Sequence, residues 1–267
     1  MGLPATTAVA TTAAAAVVVF LLAWVRQLRT RDATSVDLLW TVGLALAAAF
    51  HAAVAAEGWL PRRLLLVALV GGWALRLGLH LAQRVGHGED GRYAALRRQA
   101  GARAPLVFLA VYLAQAALVV ALGLAFVPLA RASAAGWRAS DAVALGLFAV
   151  ALVGESVADR QLARWRAEPA NRGRTCRAGL WSLSRHPNYF FEWLHWLVYP
   201  LLGLGLAQGE LLWLAPLAML LLVRFVTGVP PAEAQALRSR GEDYRDYQRT
   251  TSTFFPLPRR LLGACST

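Results

Sequence analysis

Long apolar runs separated by short arginine-rich loops constrain the fold of this chain more than any other feature. The chain is 58% hydrophobic with a mean hydropathy of +0.48, which is too apolar for an ordinary soluble domain. Arg76 and Arg224 lie inside the third and the last run. The pattern predicts an all-α, polytopic membrane bundle of one domain, with about seven transmembrane helices at 8–25, 36–56, 62–82, 105–129, 140–158, 189–207 and 210–228.

The distribution of arginine predicts how this bundle is oriented. With the N-terminus outside, the predicted outer loops contain only Arg62, Arg63, Arg131 and Arg138, and most other arginines fall in the inner segments. This asymmetry follows the positive-inside rule and places the C-terminus in the cytosol. It also explains the net charge of +12 without nucleic acid as a partner. The abundance of arginine and alanine indicates a bacterial protein, which we expect in the inner (cytoplasmic) membrane.

Three inner segments are expected to close a cofactor site: 83–104, 159–188 and 229–267. In the last of them, Pro230 and the proline after it predict the start of a helix, and Gly241 predicts its end. A second short helix over 242–249 would place Tyr244 and Tyr247 on one face.

Polar groups are concentrated at the edge of one predicted span, at Arg185, His186, Pro187, Asn188, Tyr189 and Glu192. Pro187 suits the first turn of a helix, where backbone N–H groups can bind a phosphate. Arg185 would add a bidentate grip on that anion, while Asn188 and Tyr189 would hold a polar ring. The alternative is a membrane-edge anchor, because Tyr, Trp and Arg all favour the interface.

Acidic residues in the predicted spans form a second group of candidates. Glu155 and Asp159 are four residues apart, so both carboxylates lie on one helix face. They would grip ribose hydroxyls or an amide of a bound cofactor, or pair with arginines of the same loop. Asp37 would line the substrate cavity as an acid, or form a structural pair with Arg76.

Several spaced motifs resemble the DUF1295 family of bacterial membrane proteins, within the steroid 5-alpha-reductase-like superfamily. The principal block is Gly179–Glu192, and sterol reductases and isoprenylcysteine carboxyl methyltransferases share related versions of it. The resemblance covers most of the chain, because further matches occur in order at Asp37-x-x-Trp40, Arg76-Leu77, Gly88–Tyr93, Glu155-x-x-x-Asp159-x-Gln161, Gly228–Glu233 and Tyr244-x-x-Tyr247 through Phe255-Pro256.

The resemblance implies a seven-helix reductase fold that holds NADPH on the cytosolic side. In steroid-reducing relatives, an acid in span two and a Tyr one turn before the span-three Arg polarise the substrate ketone. Asp37 would be that acid, acting in its protonated form, and Trp73 occupies the Tyr position, where an indole can donate one hydrogen bond but no proton. The cofactor-binding residues carried over by position are Asp159, Arg185, His186, Asn188, Tyr189, Glu192 and Glu233, with Glu155 and Tyr247 as further candidates.

These residues predict a membrane-embedded, NADPH-dependent reductase of a C=C bond conjugated to a carbonyl, in an apolar steroid- or isoprenoid-like substrate that comes from the bilayer. Two alternatives stay open: an S-adenosylmethionine-dependent methyltransferase of the isoprenylcysteine carboxyl methyltransferase type, and a non-catalytic lipid-binding membrane protein. Only NADPH carries a 2′-phosphate, which Arg97, Arg164 or Arg172 would bind. No metal site is expected, because the single Glu192-x-x-His195 motif offers too few ligands.

Overall fold

The computed structural model describes residues 2–258, and every regular element within that range is helical. The prediction of an all-α membrane protein is therefore confirmed. The helices are α1 (Ala5–Thr30), α2 (Val36–Val54), α3 (Leu60–Ala82), α4 (Gly91–Ala100), α5 (Ala104–Gly123), α6 (Phe126–Arg131), α7 (Ala139–Ala167), α8 (Pro187–Trp196), α9 (Val198–Leu202), α10 (Leu214–Leu221), α11 (Val229–Arg240) and α12 (Glu242–Thr250).

Six stretches of helix in the described range are long and apolar enough to cross a bilayer. They are Ala5–Thr30, Val36–Val54, Leu60–Ala82, Gly91–Arg131, Ala139–Ala167 and Gly209–Arg240. The predicted span 189–207 is not a continuous helix, because α8 ends at Trp196 and the short α9 follows. Pro200 has no N–H to donate to the carbonyl four residues earlier, which breaks the helical ladder at this point. The placement of the N-terminus outside and of the C-terminus in the cytosol stays a prediction.

The chain divides into two compact units. The first unit consists of the chain up to Arg138 together with Leu202–Ala215, and the second consists of Ala139–Leu201 and the chain from Pro216 onward. Asp37 and Trp73 belong to the first unit, and every predicted cofactor-binding residue belongs to the second. The prediction that the chain is one domain stays a prediction.

Hydrogen bonds join two loops at one end of the first unit. The Thr34 hydroxyl accepts a hydrogen bond from the Asp90 N–H at 2.8 Å, and the Glu89 carboxylate accepts one from the Ala33 N–H at 3.2 Å. Asp90 also caps α4, because its side chain accepts from the Arg92 N–H. The glycine-rich segment before α4 is thereby tied to the loop between α1 and α2, which fixes where α4 begins.

Close packing of α7 against α8 forms the centre of the second unit. Gly154 makes this approach possible, since a Cβ at that position would lie 2.4 Å from the Phe191 ring. The Trp181 indole N–H donates to the Ala158 carbonyl at 2.9 Å and joins the following loop to α7. Gly241, with φ +55°, ends α11 as the sequence predicts.

Candidate cofactor-binding site

The chain after α12 holds the start of α8 in place. The Ser184 hydroxyl accepts a hydrogen bond from the His186 N–H at 3.1 Å and donates one to the Phe254 carbonyl at 2.8 Å. The Arg185 N–H donates to the Ser252 carbonyl at 2.8 Å. These bonds fix the backbone from which the Arg185 and His186 side chains project.

The Glu233 carboxylate is the acceptor around which this part of the second unit is organised. Its Oε1 accepts from Arg185 Nε at 2.7 Å and from His186 Nε2 at 3.2 Å, and the Tyr244 hydroxyl lies 3.4 Å away. Its Oε2 accepts from the Gln248 amide at 2.8 Å. The donors come from the start of α8 and from α12, so the carboxylate of α11 joins the three helices.

The Arg185 guanidinium is engaged on all three of its nitrogens. Besides the bond to Glu233, Nη1 donates to the Gln248 and Thr251 carbonyls, and Nη2 donates to the Thr253 hydroxyl, each at 2.8 Å. A guanidinium has five N–H groups in a fixed fork, so these four bonds leave no pair for a bidentate grip. The expected anion-gripping geometry is therefore not formed, and the side chain anchors the tail instead.

His186 and Tyr189 form a parallel aromatic pair. Their ring centroids are 5.4 Å apart and the ring planes differ by 4°. Burial lowers the pKa of His186, against the opposing effect of its hydrogen bond to Glu233, so the ring is neutral near pH 7. Because the Glu233 carboxylate can only accept, Nε2 of the neutral His186 carries the proton.

One hydrogen bond joins polar side chains of α7 and α8, and further carboxylates lie one turn away on each helix. Asn188 Nδ2 donates to Asp159 Oδ1 at 3.2 Å near the start of α8. Glu155 lies one turn from Asp159 along α7, and Glu192 lies one turn from Asn188 along α8; both are buried. Glu192 Oε1 accepts from the Trp196 indole at 3.2 Å. The structure thus brings Asp159 of α7 into contact with α8, and it buries Glu155 one turn away.

Tyr247 supports the loop before α8 and is itself fully buried. Its hydroxyl donates to the Trp181 and Ser184 carbonyls. Burial raises the pKa of the Tyr247 hydroxyl, so it stays protonated and able to donate. The phenol donates its single proton to backbone carbonyls. Tyr247 therefore holds the loop before α8 in position.

Asp37, the predicted catalytic acid, accepts hydrogen bonds from two neighbours in the first unit. Arg92 Nη2 donates to its Oδ2 at 2.8 Å, and the Tyr93 hydroxyl donates to its Oδ1 at 2.6 Å. The alternative pair with Arg76 is not formed. Both oxygens of the Asp37 carboxyl thus accept a hydrogen bond, one from a guanidinium and one from a phenol.

Tyr93 is the functional candidate that the sequence did not identify. It lies within the glycine-rich motif that ends at this residue, but nothing in the spacing pairs it with an acid 56 positions earlier. Trp73 is buried and packs edge-on against Trp40, with ring centroids 5.7 Å apart. The phenol that the Trp73 position lacks is thus supplied beside Asp37 by α4.

The arginines expected to bind a 2′-phosphate differ in their surroundings. Arg97 in the first unit forms an ion pair with Glu89 at 2.6 Å and donates a hydrogen bond to the Gln27 side chain at 3.0 Å. Arg164 and Arg172 in the second unit are exposed. The latter two are therefore the better candidates for an incoming anion.

One protein family matches most of the chain. Residues 23–251 match the model of a family described as "Protein of unknown function (DUF1295)", which is the steroid 5-alpha-reductase-like group. The chain belongs to this family, so the resemblance is confirmed. No curated protein matches the chain. No solved structure matches it either.

Proposed function

We propose that this protein is an NADPH-dependent reductase of a C=C bond conjugated to a carbonyl, acting on an apolar steroid- or isoprenoid-like substrate from the bilayer of a bacterial cytoplasmic membrane. The observation that carries the proposal is the polar cluster at the start of α8. There His186 contacts Glu233 and Tyr189, and Asn188 contacts Asp159, at the end of a helix pair that also buries Glu155 and Glu192. Such groups are costly to keep near hydrocarbon, and they indicate a site.

The chemistry of the donor set suits a dinucleotide. The Asp159 carboxylate is an acceptor of the kind that binds ribose hydroxyls, and the Asn188 amide offers both a donor and an acceptor. Two buried polar groups of the same unit, the Trp165 indole N–H and the Thr251 hydroxyl, have no hydrogen-bond partner in the described residues. Buried groups of this kind are normally satisfied, so they favour a bound polar ligand or water in this region.

Tyr93, next to Asp37, would act on the substrate carbonyl. NADPH, when bound, supplies the hydride. Tyr93 has a single hydroxyl proton, which now bonds to Asp37, and it would turn this proton to the carbonyl oxygen. Arg92 would stay on Asp37 and keep the carboxylate satisfied during that change. The Tyr93 phenol, rather than a protonated Asp37, would therefore polarise the carbonyl.

Thermal unfolding of the detergent-purified protein with NADPH, NADH or S-adenosylmethionine tests this function. A ligand at 100 times its Kd stabilises the native state by about 2.7 kcal/mol. We expect stabilisation by NADPH that is weakened in Asn188→Ala and retained in the exposed control Gln235→Ala. Stabilisation by S-adenosylmethionine alone would favour the methyltransferase, and no stabilisation by any of the three would reject both enzymes.

A further inference from the structure

Arg224 lies in a local break of the last long apolar helix. Residues Leu222–Val226 form a π-turn, in which the Thr227 N–H donates to the Leu222 carbonyl at 2.7 Å. Gly228 closes this turn, because a Cβ there would lie 2.6 Å from the Val223 carbonyl oxygen. Single π-turns inside helices occur frequently at functional sites. The Arg224 side chain therefore projects from a backbone that is tightly specified.

The Arg224 guanidinium makes neither a hydrogen bond nor an ion pair with any residue from 2 to 258. It makes a cation–π contact with the neighbouring Phe225 ring, in which the guanidinium carbon lies 5.0 Å from the ring centroid. The contrast with Arg185 is large, since Arg185 is bonded on all three of its nitrogens. A half-buried cation in an apolar helix normally has an anionic partner or reaches to the polar interface.

The positive charge of Arg224 is not balanced by a carboxylate among the described residues of the second unit. The π-turn packs on α11, which carries Glu233. Glu233 is paired with Arg185, so those two charges cancel. Besides burial, which is the main cause, the positive charge of Arg224 also lowers the pKa of His186, which the Glu233 carboxylate of α11 contacts. No carboxylate of the described residues lies within ion-pair distance of Arg224.

We propose that Arg224 binds a phosphoryl group at the π-turn that precedes α11. A guanidinium with all five donors available is suited to a phosphate oxyanion, which it can grip through two parallel hydrogen bonds. The phosphoryl group belongs either to the dinucleotide of the proposed function, on which this arm rests, or to an anionic phospholipid at the membrane surface. In both cases Arg224, rather than Arg185, supplies the anion-binding guanidinium of the site.

The test compares Arg224→Gln with Arg238→Gln, an exposed arginine of the neighbouring α11. NADPH affinity is measured by titration in uncharged detergent. Stabilisation by phosphatidylglycerol over phosphatidylcholine is measured by thermal unfolding in nanodiscs. Loss of a charged hydrogen bond of about 1.5–3 kcal/mol weakens binding roughly 10- to 150-fold. If NADPH binding weakens by this factor in Arg224→Gln but not in Arg238→Gln, Arg224 binds a phosphate of the dinucleotide. If stabilisation by phosphatidylglycerol is lost in Arg224→Gln but not in Arg238→Gln, Arg224 binds a lipid phosphate.

Equal behaviour of the two variants in both assays would overturn the proposal. If wild-type protein does not bind NADPH, the proposed function fails, and the nanodisc measurement still decides the role of Arg224. Arg224→Lys provides a second variant if the glutamine variant does not fold. It keeps the charge and loses the planar fork, so we expect a smaller loss in the same assay, and wild-type behaviour in both assays would contradict the bidentate grip.

Discussion

Replacing Glu233 by Ala should destabilise the second unit strongly. The substitution removes the acceptor of Arg185, His186 and Gln248 at once. The Arg185 side chain is only 10% exposed, so its charge would lose its counter-ion in a largely buried place. Breaking one partner of a buried ion pair costs about 3–5 kcal/mol. For a chain of this size such a loss lowers Tm by roughly 6–20 °C.

Glu242→Ala is the matched control, because it makes the same substitution nearby in the tail. Its ion pair with Arg245 is exposed on both sides, so its loss should change stability by no more than about 0.5 kcal/mol. Thermal unfolding in detergent, followed by tryptophan fluorescence, compares the two variants. A double-mutant cycle of Glu233→Ala with Arg185→Ala should give a coupling energy above about 1 kcal/mol. Equal Tm values for the two glutamate variants would refute the organising role of Glu233.

Three further predictions concern the substrate phenol, the helix contact and the pH dependence. Tyr93→Phe should lower kcat by about 10²–10⁴-fold and leave NADPH affinity unchanged, as steady-state kinetics and titration would measure. Gly154→Ala should cost about 1–3 kcal/mol because its Cβ meets an aromatic ring of α8, whereas Gly146→Ala, with nothing within 4 Å, should not destabilise; thermal unfolding separates the two. Burial raises the pKa of the Asp243 carboxyl, but interactions with Thr175 and Arg177 outweigh burial and hold this pKa below its usual range. A depressed carboxyl pKa contributes stability above the unfolded value that is lost as pH falls through the folded value, so Asp243→Asn should reduce the loss of stability on acidification.

The two helices of the C-terminal segment, α11 and α12, were well predicted from local signals. Pro230 and Gly241 are constraints on backbone conformation, and they mark the start and end of α11 wherever its partners lie. Tyr244 and Tyr247 are buried together because three residues along a helix return to nearly the same face. Such features depend on neighbouring residues alone, which is why a single sequence reveals them.

The partners of the charged residues were not predictable in the same way. Arg185 was expected to bind an anion, but the tail docks against it and uses its donors. From the sequence, Arg76 was an alternative partner of Asp37, but the residues that bind Asp37 are Arg92 and Tyr93 of α4. These contacts join segments some 50 to 70 residues apart, so they follow from how the helices dock and leave no periodic signal in the sequence.

Energy transfer from tryptophan to NADPH tests the central claim directly, because Trp181 and Trp193 flank the start of α8 in the sequence. The protein is excited in the indole band, and NADPH emission is followed through a titration in detergent. The account predicts saturable one-site transfer that needs higher NADPH concentrations in Asn188→Ala than in Gln235→Ala. Transfer that rises linearly without saturation in wild-type protein, or that is the same in both variants, would contradict a nucleotide site at this end of the second unit.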